Sequence, residues 1–169
     1  MTKPPNVEIL SVSYTHLTPG GEMTLREEMK LERNQLKELV HVCHENNSID
    51  ASIASGSFRT MGMMVVPCSM KTVAGIVSGY SNNLLLRAAD VCLKERRKLV
   101  LAPREAPLST LHLRNLYEAS QLGAVILPPV LTYYNHPKSL EDVTRYMACL
   151  LYTSAGGRDN KKAGPDALK

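Results

Sequence analysis

The chain predicts an α/β fold in which a parallel sheet is covered by helices on both faces. Three observations carry that reading. Met63–Val66, Lys98–Ala102 and Ala124–Leu127 are short apolar runs without polar alternation, as strands buried on both sides require. Each is followed by a stretch of helical spacing, and strands that alternate with helices pair in parallel. The first two runs also end in polar, charge-bearing tips, PCSMKT and PREAP, and open sheets of this class bind ligands at the carboxyl ends of their strands. No internal repeat is visible.

Taken in order, Val7–Ser13 reads as a short first strand and Thr18-Pro19-Gly20-Gly21 as a turn. Glu22–Cys43 reads as helical, in one piece or two, because Leu36, Leu39, Val40 and Cys43 recur at helical spacing. His44–Asp50 suits a polar connector. Ala51–Arg59 is rich in Ser, Ala and Gly and suits a loop packed closely against a neighbour. Ser69 begins a helix reaching to about Ser78, and Asn82 or Asn83 caps the next, whose Leu84, Leu85, Ala88, Val91 and Cys92 share one face. Ser109 opens a helix to about Gln121, with Gly123 as its stop. Ser139-Leu140-Glu141-Asp142 has the form of a capping box and opens a last helix to about Leu151. Residues 1–154 therefore read as one domain, and 155–169, polar and rich in Gly and Lys, as a disordered tail.

Bulk properties narrow the function. A chain of 169 residues fits one domain that buries roughly two thirds of its unfolded surface. The longest apolar runs, such as Gly123–Pro129, are too short to span a bilayer, and Met1–Pro5 leads into polar residues rather than a signal-peptide core. A cytoplasmic protein without a membrane partner is expected. Cys43, Cys68, Cys92 and Cys149 are widely separated, so buried reduced thiols are expected rather than disulfides or a zinc site. A net charge of +4 with one Phe and seven Tyr does not make the basic, aromatic stripe of a nucleic-acid binder. A small anionic ligand explains the local basic clusters more simply.

Four clusters are candidates for chemistry. Pro67-Cys68-Ser69-Met70-Lys71-Thr72 lies where a strand gives way to a helix, so backbone N–H groups and the helix dipole face any bound anion. A plain N-cap with a solvated Lys is an equal alternative on these residues alone. Lys94-Glu95-Arg96-Arg97-Lys98 ends a helix, where cations are favoured by the dipole and most are simply solvated, although one of them can fold back toward a ligand. Arg104-Glu105 stands at a strand tip between Pro103 and Pro107, which suits a guanidinium gripping a phosphate beside a carboxyl that moves protons. A surface ion pair is the bland alternative. Tyr133-Tyr134-Asn135-His136-Pro137 follows the third strand, where a hydroxyl can reach a phosphate oxygen or the rings can merely cover the core. His112 and His136 lack a Ser/Asp or metal-type partner nearby in sequence and are not assigned a catalytic role.

The motifs SGSF, PCSMKT, NNLLLRAADVCLKERRKLVLAPREAPL and LGAVILPP together resemble the UbiX-type flavin prenyltransferases, a family formerly described as aromatic-acid decarboxylase subunits. The resemblance spans about Glu22 to Ala148, roughly three quarters of the chain. It implies a flavodoxin-like (Rossmann-like) three-layer sandwich, a homo-oligomer (typically a dodecamer built of trimers), FMN as bound substrate, and no metal. The implied reaction moves a dimethylallyl group from dimethylallyl monophosphate to FMN, joining N5 and C6, for use by UbiD-type decarboxylases. By position, Ser69, Met70, Lys71, Thr72 and Arg104 are expected to bind FMN. Lys94, Arg104 and Tyr134 are expected to hold the donor phosphate, with Lys94 and Glu105 catalytic and Ser55, Gly56 and Ser57 bordering the prenyl pocket. The family's opening strand and Gly-rich loop have no counterpart here, so a sheet lacking its first strand is expected. Where the family has a second FMN-touching Ser, Thr18 is a weak substitute, and Leu150 stands where the family has a basic residue. The alternatives are a non-catalytic flavin-binding remnant and an FMN-dependent cysteine decarboxylase of the same fold.

Overall fold

The computed structural model describes residues 14–156, which divide into two units: 14–51 with Asn83–Leu85, and Ser52–Asn82 with 86–156. The strand expected at Val7–Ser13 and most of the tail expected at 155–169 lie outside the described residues.

The first unit holds β1 (Tyr14–Leu17), α1 (Pro19–Met29), α2 (Arg33–Lys37) and β2 (Val42–Glu45). Its two strands pair in parallel, from Tyr14 opposite Val42 to Leu17 opposite Glu45. Thr18–Gly21 is not a turn but the start of α1. Thr18 is extended and its Oγ1 accepts from the Gly21 N–H at 3.0 Å, while Pro19 takes the first helical position, where its missing N–H costs nothing. The helix expected over Glu22–Cys43 also breaks. Lys30, at φ 54°, ends α1, and the chain re-enters a helix for only five residues before Val42 turns to sheet pairing. Tertiary pairing with β1 overrides the helical spacing that ran through Cys43. The polar connector expected at His44–Asp50 consequently begins two residues late. Arg33 ties the unit together: Nη2 lies 2.7 Å from Glu45 Oε1, and Nη1 lies 2.7 Å from Glu45 Oε2 and 2.9 Å from Glu22 Oε1. The hydrogen bond to Glu45 raises the Arg33 pKa further, so this paired cation stays charged.

The second unit holds a short 3-10 turn (Ser52–Ala54), β3 (Gly62–Cys68), α3 (Met70–Val77), the body of α4 (Leu84–Lys94), β4 (Lys98–Pro103), α5 (Thr110–Gln121), β5 (Val125–Ile126) and α6 (Leu140–Ser154). Its sheet is parallel in the order β3-β4-β5, with Gly62 opposite Lys98 and Cys68 opposite Pro103. β4 is the centre, and Leu99, Val100 and Leu101 are fully buried. Truncating one of these leucines to Ala removes about 2–5 kcal/mol. β3 departs from the expected double burial. Val65 and Cys68 are buried, yet Met64 and Val66 are 45% and 54% exposed, because β3 is an edge strand among the described residues.

In this unit α3 and α5 begin and end close to where the sequence places them, whereas α6 runs to Ser154, past the end expected near Leu151. The Ser69 hydroxyl accepts from Thr72 N–H at 3.2 Å, and the Ser109 hydroxyl accepts from His112 N–H at 3.2 Å. His112 Nδ1 accepts in return from Ser109 N–H, which gives that histidine a structural task. The capping box at Ser139 closes through Asp142, whose carboxylate accepts from the N–H groups of Lys138 and Ser139 and is held below the usual range chiefly by the first of these. Gly123, at φ +100°, supplies the left-handed turn after α5 that lets the chain re-enter the sheet. The four cysteines are free; Cys68 and Cys92 are buried and Cys43 and Cys149 half-buried. No helix among the described residues is long and apolar enough to cross a membrane.

Candidate active site

Parallel pairing sends the ends of β3 and β4 to one edge of the sheet, and a backbone bond fixes their spacing. Arg104 N–H donates to the Cys68 carbonyl at 3.2 Å, so the residue after β4 is bonded to the residue just before Ser69. There α3 begins. Thr72 N–H turns to the Ser69 hydroxyl and Val73 N–H to the Ser69 carbonyl at 3.1 Å, which leaves the Met70 and Lys71 amides as outward donors of the first turn. Thr72 Oγ1 lies 3.0 Å from Ser69 Oγ. Ser69, Lys71, Arg104 and Glu105 are exposed, Thr72 is half-buried and Met70 is buried. Glu105 Oε1 accepts from Ala106 N–H at 3.2 Å. Hydroxyls, amides, two cations and a carboxylate thus share one edge, a donor set that suits a phosphate-bearing ligand such as a flavin mononucleotide. Cys68, at the same tip, is not a nucleophile: burial pushes its thiol up to about 12, so it stays protonated.

Tyr134 lies in the segment between β5 and α6. Its ring meets Tyr146 of α6 edge-on, with centroids 5.9 Å apart, and the two hydroxyls are hydrogen-bonded. Tyr146 has no sequence signal of its own; a lone Tyr on an amphipathic helix reads as packing.

The remaining candidates lie at the other end of the sheet. Lys94 ends α4 just before β4, and Ser55, Gly56 and Ser57 lie just before β3. The Ser55 and Ser57 hydroxyls are 2.8 Å apart and exposed. Lys94 Nζ stands 3.7 Å from Glu95 Oε1, and a Cβ added to Gly56 would fall 2.5 Å from that same oxygen, so loop and lysine are neighbours. Along β4, six residues separate this group from Arg104, about 20 Å of extended chain and beyond the reach of any side chain. One copy therefore presents two groups of candidate residues at opposite strand ends. Among the described residues, no three His, Cys, Asp or Glu side chains converge as a metal-ligand set.

Comparison with known proteins bears on this arrangement. The model of a family described as Flavoprotein matches residues 11–148. The chain is 53% identical over 130 residues to a probable UbiX-like flavin prenyltransferase of Sedimentibacter hydroxybenzoicus, a match covering 76% of this chain and 69% of that protein. A dodecameric FMN-dependent UbiX-like decarboxylase from Escherichia coli O157:H7 superposes with a TM-score of 0.82 at 41% identity, over 86% of this chain and 79% of that one. AnUbiX (PadA1), solved with FMN and dimethylallyl pyrophosphate, gives a TM-score of 0.82 at 42% identity, over 85% of this chain and 76% of that one.

Proposed function

Because this chain belongs to the flavoprotein family, and within it to the UbiX-like flavin prenyltransferases, we propose that it transfers a dimethylallyl group from dimethylallyl monophosphate to reduced FMN. Its fold is the flavodoxin-like α/β fold of the UbiX-like structures it superposes on. The observation that carries the proposal is the bond from Arg104 N–H to the Cys68 carbonyl, which sets a guanidinium and a carboxyl beside the start of α3.

Reduced FMN supplies N5 and C6: N5 bonds to the donor's phosphate-bearing carbon as phosphate leaves and the N5 proton is lost, and C6 bonds to the far alkene carbon as the middle carbon gains a proton and C6 loses one. The start of α3 binds the flavin through the Ser69 and Thr72 hydroxyls, the Met70 and Lys71 amides and the Lys71 charge, with Arg104 alongside. Arg104, Lys94 and Tyr134 hold the donor phosphate, and fixed cations stabilise the charge that grows on it as the carbon–oxygen bond breaks. Glu105 takes up the proton released at ring closure. Holding two reactants in register is itself a large share of the rate.

The separation of Lys94 from Arg104 along β4 gives the oligomer a chemical purpose. We infer that Lys94 and the Ser55–Ser57 loop of one copy complete the site begun by Ser69, Arg104 and Glu105 of another. A dodecameric relative agrees with a closed assembly of this kind. By resemblance, the product goes to a UbiD-type decarboxylase.

The test is direct. The purified chain is incubated with reduced FMN and dimethylallyl monophosphate, with the pyrophosphate in parallel, and the flavin is analysed by mass spectrometry. Prenylated FMN from the monophosphate is expected. Bound but unmodified FMN overturns the transferase reading and leaves a flavin-dependent decarboxylase; no bound flavin overturns both.

A further inference from the structure

We propose that Arg97 is a positioning residue for prenyl transfer, clamping the Ser55–Ser57 loop beside Lys94; this deepens the function proposed above and rests on it. Arg97 follows the left-handed residue Arg96, at φ 54°, and its backbone N–H donates to the Cys92 carbonyl at 2.8 Å, so its root is set by the end of α4. From there the guanidinium reaches a loop some forty residues earlier. Nη2 donates to the Gly56 carbonyl at 2.6 Å, and Nη1 to the Phe58 carbonyl at 2.7 Å and the Thr60 hydroxyl at 3.5 Å. The two carbonyl distances are those of strong charge-assisted bonds, not of a cation solvated at a helix end.

Within the loop, Ser55 N–H donates to the Ser52 carbonyl at 3.1 Å and Phe58 N–H to the Ser55 carbonyl at 3.2 Å, and the Ser55 and Ser57 hydroxyls lie 2.8 Å apart. Arg87 Nε grips the Ala54 carbonyl upstream at 3.3 Å. The planar fork of Arg97 is what spans two carbonyls two residues apart; an ammonium is a point charge and holds one. On its far side the loop abuts Glu95, whose Oε1 also faces Lys94 Nζ. Gly56 is the residue at that contact, and its missing Cβ makes the close approach possible. One carboxylate oxygen therefore stands between the clamped loop and the lysine, and a shift of the loop moves the place where Lys94 can rest. The start of α3, which we assign to the flavin, lies at the other end of the strands and is untouched by Arg97.

The proposal predicts a selective defect. In Arg97→Gln, the KM for dimethylallyl monophosphate rises about tenfold or more and kcat falls with it, because the donor and Lys94 lose their frame, while FMN affinity stays within about twofold. Amide hydrogen exchange at 55–60 speeds up in the same variant. Arg97→Lys, which keeps the charge and loses the fork, recovers part of the KM and leaves amide exchange fast over part of 55–60. An unshifted KM, or unchanged exchange at 55–60, overturns the role of Arg97. Equal loss of FMN affinity and donor affinity also overturns it, because that is general destabilisation. A wild-type chain that makes no prenylated flavin sinks the function itself, an outcome distinct from an active wild type with an indifferent variant.

Discussion

The two ends of the β3–β4 pair are built by different means. At the carboxyl end, the candidate groups are backbone amides, a capping hydroxyl and side chains rooted at strand tips, all placed by local geometry within a few residues. At the amino end, a loop is held by guanidinium–carbonyl bonds reaching back some forty residues, and a lysine is steered by a carboxylate that the loop also touches. The first design binds an anion with dipoles that exist once the helix forms. The second depends on side chains that must be ordered, so it is adjustable and easily lost. On the proposed function, the carboxyl end holds the flavin, and the donor phosphate is shared between Arg104 there and Lys94 at the amino end of another copy.

The strongest way to break that comparison is to divide the ends between copies. Lys94→Ala and Arg104→Ala are each expected to lose roughly 10³-fold in turnover, since each removes a cation from the leaving phosphate. If Lys94 and Arg104 serve one site from two copies, unfolding and co-assembling the two inactive variants restores about a quarter of the wild-type rate, because random mixing leaves that share of sites with both residues. Mixtures as inactive as the parents show that each site draws both residues from one chain, and the two-copy reading fails. Next in size is Glu105→Gln, expected to slow prenylation roughly 10²-fold with FMN retention unchanged. A variant that prenylates at the wild-type rate removes Glu105 from proton handling. Ser69→Ala then separates binding from chemistry. Loss of the cap costs about 1 kcal/mol of stability and weakens FMN binding without a selective change in the donor KM. A thermal melt with a flavin titration reads both.

The contrast between the ends also explains what was legible in the sequence. Ser69, Ser109 and Ser139 declared three helix starts, and the unbroken apolar run of β4 declared a central strand, because these signals are local. The position of Arg104 beside Ser69 followed from parallel strands alone. The first unit was misread where a long-range partner decides the outcome: Cys43 carries helical spacing, yet pairing with β1 makes Val42–Glu45 a strand. Gly20-Gly21 likewise looked like a turn, although Thr18 and Pro19 make it a helix start. Arg97 and Tyr146 were indistinguishable from solvated or packing residues, since their partners lie twelve or more positions away. The resemblance assigned Lys94 and Arg104 to one phosphate, and the strand between them sets them at opposite ends.

The smallest effect concerns the Tyr134–Tyr146 pair. The Tyr134 hydroxyl raises the Tyr146 pKa above the ordinary tyrosine range, with burial and the mutual charge of the pair adding to it. The folded chain therefore holds this proton more tightly than the unfolded one. That preference stabilises the fold fully below the ordinary tyrosine pKa of ~10, and it is lost as pH rises through the raised value. Tyr146→Phe removes the titrating partner, and melting temperatures between about pH 8 and 11 should fall less steeply in the variant than in the wild type. Because Tyr134 is one of the residues assigned to the donor phosphate, the same substitution frees its hydroxyl from Tyr146, and the donor KM should change modestly while FMN affinity does not. Parallel melting curves with an identical KM would show that the two rings only pack, and the carboxyl edge would then hold the donor through Arg104 without Tyr134.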